Sequence, residues 1–127
     1  MQGGTNASNM TNTVETFALT PHSDITIYNM LCRANNRVVH IDVDMVNTSA
    51  SSITAQSVLA TIPDKYMPEG VNGTYPLFEI QFLNGAQVYG GIGWGGKKGI
   101  FLDNAMPSGA RFRLSITYFR AGGGGVS

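Results

Sequence analysis

Three side chains with acid–base and ligand chemistry stand at alternate positions of one segment: His40, Asp42 and Asp44. Alternation with Ile41, Val43 and Met45 puts all three on one face of an extended strand. An imidazole and two carboxylates placed this way can hold a divalent cation or accept hydrogen bonds from sugar hydroxyls, or they can simply form a solvated polar face. The expectation is the solvated face, with no metal and no cofactor. Catalysis has less support. Glycoside hydrolysis takes its two acids from facing segments across a cleft, whereas Asp42 and Asp44 are neighbours on one strand. With two histidines and no Gly-x-Ser-x-Gly elbow, nucleophilic catalysis lacks a signature as well, so the chain reads as a protein that is not an enzyme.

A second group of residues surrounds Trp94. Gly91-Ile92-Gly93-Trp94-Gly95-Gly96 fits the dinucleotide pattern G-x-G-x-x-G, and Gly91 to Lys97 fits the Walker spacing. A phosphate loop works by opening a helix whose N–H groups face the anion, yet Lys98-Gly99-Ile100-Phe101-Leu102 follows here and is strand-like. Lys98 also stands where the Walker motif needs a hydroxyl for magnesium. Nucleotide binding is therefore not expected, and glycines in a strand point to a bulge or a close backbone approach. Trp94, with Tyr89 upstream and Lys97 and Lys98 beyond, has two readings. It fills a core or subunit contact, or it is an aromatic platform on which the apolar face of a sugar stacks.

The elements that must position these residues are strands. Arg111 to Phe119 alternates strictly: Phe112, Leu114, Ile116 and Tyr118 face one way, and Arg111, Arg113, Ser115 and Thr117 the other. Earlier strands are predicted over Val14 to Leu19, Asp24 to Arg33, Val38 to Val46 and Gln56 to Ile62. A long irregular crossing marked by Pro63, Pro68, Gly70 and Gly73 follows, then strands over Leu77 to Leu83, Ala86 to Gly91 and Gly99 to Leu102. Asn84-Gly85 is the strongest hairpin signal. The predicted fold is all-β, an antiparallel jelly-roll or Greek-key sandwich spanning residues 14–120, with a polar arm at 1–13 and a glycine-rich tail at 121–127. Order in either arm needs a neighbouring surface.

Composition narrows the partners. Eight basic residues balance eight acidic ones and only 13% of the chain is charged, so no long-range field draws it onto nucleic acid or anionic lipid. The 127 residues, 43% hydrophobic, suffice for one core. One cysteine, Cys32, excludes an internal disulfide and a multi-cysteine zinc site, and burial as a small apolar side chain is its expected role. No stretch reaches the roughly 18 apolar residues a membrane helix needs, and the start of the chain lacks signal-peptide blocks, so synthesis in a cytoplasm is expected. The sequon at Asn47 is read, with three others, as a chance match that carries no glycan.

The run Thr61-Ile62-Pro63-Asp64-Lys65-Tyr66-Met67-Pro68, the Asn84-Gly85 hairpin and the closing strand Phe112 to Tyr118 resemble small β-sandwich domains of phage tail and baseplate proteins. The resemblance implies a virion protein made in a host cytoplasm and assembled as a trimer, which recognises a cell-wall saccharide or anchors to other virion proteins. By that resemblance Trp94, His40, Asp42 and Arg111 are candidate saccharide-binding residues, and Tyr89 joins them as the aromatic upstream of Trp94. It leaves open a capsid decoration or head-fibre role, in which residues 1–13 and 121–127 contact neighbouring virion proteins. A freestanding carbohydrate-binding module is a third reading.

Overall fold

The computed structural model describes residues 13–69, 76–93 and 98–120. Nine strands run through them: β1 (Glu15–Phe17), β2 (Thr20–Pro21), β3 (Ile25–Ala34), β4 (Val38–Asn47), β5 (Val58–Thr61), β6 (Leu77–Gln81), β7 (Gln87–Gly93), β8 (Gly99–Leu102) and β9 (Arg111–Phe119). They form two antiparallel sheets, a four-stranded one in the order β1-β3-β4-β9 and a five-stranded one in the order β2-β5-β8-β7-β6. The all-β sandwich read from the sequence is the fold of the protein. Within the larger sheet the order β5-β8-β7-β6 is a Greek key: three hairpin-linked strands, and a fourth joined to them by the long crossing.

Period-two patterning explains the layers. Val39, Ile41, Val43 and Met45 of β4 and Phe112, Leu114 and Tyr118 of β9 point inward and meet Ile80, Val88, Ile92, Ile100 and Leu102 of the second sheet. Cys32 joins this core at 1% exposure, and burial pushes its thiol up to about 11, so it packs as an apolar group. The β6–β7 hairpin turns at Asn84-Gly85 as predicted, with Gly85 at φ 103° and its N–H donating to the Phe82 carbonyl.

The predicted strand over Val14 to Leu19 is corrected. The chain changes sheet there, so β1 pairs with β3 while β2 pairs with β5, and Leu19 is buried between them. The long crossing also holds more structure than a loop. Asp64–Tyr66 forms a 3-10 turn in which Tyr66 is buried, its ring stacked on Phe17 with centroids 4.0 Å apart. Its hydroxyl donates to Glu15 at 2.6 Å, and its carbonyl accepts the Tyr118 hydroxyl at 2.6 Å. The Ile-Pro-x-x-Tyr-x-Pro run is thus the corner that joins the first strand, the crossing and the last strand. Arg120 closes it, donating to the carbonyls of Asn35 and Lys65 at 2.6 and 2.8 Å.

Candidate functional site

The central strands of the smaller sheet set the register of its outer face. On β4, Asp42 pairs with Leu31 of β3 and Ser115 of β9, Asp44 with Asn29 and Arg113, and His40 with Arg33 and Thr117. Cross-strand partners share a face, so these side chains form one outward surface of polar and apolar groups. A bulge between Ile27 and Asn29 inserts Tyr28 as an extra residue, and its ring lies over the Arg111 guanidinium, 4.5 Å from the centroid.

Asp44 departs from the solvated face expected of it, because it is buried to 4% exposure. Arg111 supplies the compensation with a two-pronged bond, Nε to Oδ1 at 2.9 Å and Nη2 to Oδ2 at 2.7 Å, and Arg113 adds a third from Nε at 3.3 Å. The Arg111 bond holds the Asp44 carboxyl below the usual carboxylate range against the burial that would raise it. The charges therefore lock one another in place.

A second cluster lies one row along. His40 Nδ1 meets Thr117 Oγ1 at 2.6 Å, and His40 Nε2 meets Asp42 Oδ2 at 2.9 Å. The Asp42 carboxyl is held low first by a hydrogen bond with Ser115 and then by His40. Hydroxyl, imidazole and carboxylate follow one another in the order a hydrolytic triad uses. The setting differs from a triad's, since β4 is paired on both edges and its N–H groups are committed to the two ladders. No helix N-terminus opens on this face among the described residues. What the arrangement offers instead is a fixed row of donors and acceptors.

Between β3 and β9 this face carries a shallow groove of about 420 Å³, bordered by Asn29, Leu31, Asp42, Asp44, Arg113 and Ser115. Leu31, about half exposed, gives it an apolar edge beside the charges. Among the described residues no group of three or more His, Cys, Asp or Glu side chains converges to hold a metal ion.

Of the residues proposed from sequence, the structure brings His40 and Asp42 together and sets Arg111 on the same face, bound to Asp44. Tyr89 does not join them. It sits on β7 of the other sheet, exposed between the inward Val88 and Gly90, beside Leu77, Glu79 and Asp103 on the opposite side of the sandwich. Within one chain Tyr89 and the His40, Asp42 and Arg111 group therefore lie on different sheets, and Trp94 lies outside the described residues. Of the nucleotide-like glycines, Gly91 and Gly93 belong to strand β7, and Gly95 and Gly96 lie outside the described residues. Sequence reading passed over Arg113, Ser115 and Leu31 as site residues, although the alternation of β9 already put the first two outward. Tyr28 carried no signal, because a bulge breaks the period that would reveal its direction. Comparison of the chain with protein-family models, with curated proteins and with solved structures found no match.

Proposed function

We propose that this chain is a non-enzymatic structural domain of a phage virion, of tail-fibre or baseplate type, that assembles as a trimer and recognises a cell-surface saccharide through the outer face of the β1-β3-β4-β9 sheet. The observation that carries the reading is the groove over β4. It combines an apolar edge, hydroxyls, carboxylates and a guanidinium on paired strands, the mixture a sugar ring with one apolar face and several hydroxyls requires. Because the Arg111 pair fixes Asp44 before any ligand arrives, that carboxylate loses little side-chain entropy on binding. The resemblance of the Ile62 to Pro68 corner and the closing strand to phage tail domains supports the virion setting.

Titration of crude bacterial cell-wall polysaccharide against the wild-type protein and a Leu31→Asp/Ser115→Trp double variant tests this. Binding by the wild type that the variant lacks is the expected result. Equal binding by both would remove the face from the site.

A further inference from the structure

We propose that the groove over β4 takes a saccharide bearing an acidic group, carboxylate or phosphodiester, and that Arg113 holds that group. The inference rests on the reading of the groove as a saccharide site and names the class of sugar. Arg111 already engages both Asp44 oxygens, so Arg113 reaches this carboxylate only through Nε, at 3.3 Å. Its side chain is 70% exposed, and its two terminal NH2 groups make no hydrogen bond among the described residues. A planar guanidinium with both terminal donors turned to solvent fits an anion with two adjacent oxygens.

Charge balance on the face points the same way. Arg33, Arg111 and Arg113 stand against Asp42 and Asp44 on this face, three arginines to two carboxylates. Arg111 takes Asp44 at 2.7 Å and His40 meets Asp42 at 2.9 Å, so Arg113, at 3.3 Å from Asp44, is the arginine of β9 least engaged by a carboxylate. Asp42 lies on the next row, where its carboxylate accepts from hydroxyls and repels an anion. A bound sugar is thereby oriented, with its acidic group at Arg113, its hydroxyls toward Asp42 and its apolar face on Leu31.

The test uses the full chain and an Arg113→Gln variant, whose exposed position leaves the fold intact, as its thermal midpoint checks. Polygalacturonate supplies carboxylates, poly(glycerol phosphate) supplies phosphodiesters, and dextran is the neutral control. The wild type is expected to bind at least one acidic polymer more tightly than dextran, and to lose that preference in about 0.5 M salt, where screening shortens to a few Å. Arg113→Gln should weaken the acidic polymer about tenfold or more, and Arg113→Lys less, because lysine keeps the charge and loses the fork. Which acidic polymer responds identifies the group. No preference over dextran, or unchanged affinity in Arg113→Gln, overturns the inference. Retained binding of crude cell-wall polysaccharide in that event leaves the saccharide reading standing, and loss of every polysaccharide removes both.

Discussion

At the residue scale, the Asp44–Arg111 pair decides how firmly the face is held. Removing the acid leaves a guanidinium that is partly exposed and can be hydrated, whereas removing the arginine strands a buried carboxylate with one long bond from Arg113. Asp44→Ala should therefore cost about 1–3 kcal/mol in urea unfolding, and Arg111→Ala should cost more. The pH dependence has a definite sign. Asp44, Asp42 and Glu15 are all held below the usual carboxylate range, Asp44 chiefly by Arg111, Asp42 by Ser115 and Glu15 by Tyr66. Their contribution is fully present above the ordinary carboxylate pKa near ~4 and is lost as pH falls through the lower folded values. Urea midpoints measured from neutral pH downward should drop below about pH 4, and Asp44→Asn should flatten that drop. The residue types of this pair were legible in the sequence, but its burial was not. Asp44 reads as one of three alternating polar residues, and only the register that sets Arg113 opposite it and Arg111 on the diagonal shows why a carboxylate can be buried there.

At the element scale, most strands follow from alternation, and β8 and β9 lie where the pattern puts them. The division of strands between sheets was not legible, because a period of two fixes which face is buried and leaves the pairing partner open. The split between β1 and β2 shows this, since Val14 to Leu19 carries no breaker at the point where the chain changes sheet. Close backbone approach, one of the two causes expected for glycine in the Gly91 to Gly96 segment, occurs just outside it, at Gly90 and Gly99. A Cβ on Gly90 would collide with the Phe101 carbonyl, and one on Gly99 with the Ala60 carbonyl. Gly90→Ala and Gly99→Ala should each destabilise by about 2 kcal/mol or more, as overpacking against backbone does, while alanine at surface positions of the same sheet should have little effect. The corner makes a separate prediction. Tyr118→Phe strips a hydroxyl from the buried Tyr66 carbonyl and should lower stability by about 1–2 kcal/mol in denaturant unfolding.

At the scale of the whole molecule, the two outer faces of the sandwich differ in kind. One carries interlocked charges around a groove, and the other carries the exposed Leu77 and Tyr89 with unlike surroundings. The trimer proposed for the virion setting is checked by light scattering of the purified chain, where three times the 13.6 kDa chain mass is expected. The most direct test of the account compares the faces in one binding experiment. Cell-wall polysaccharide is titrated against a smaller-sheet variant, Asp42→Asn/Arg113→Gln, and a larger-sheet variant, Tyr89→Ser. The account predicts that the first loses binding and the second keeps it, and the reverse result would contradict it.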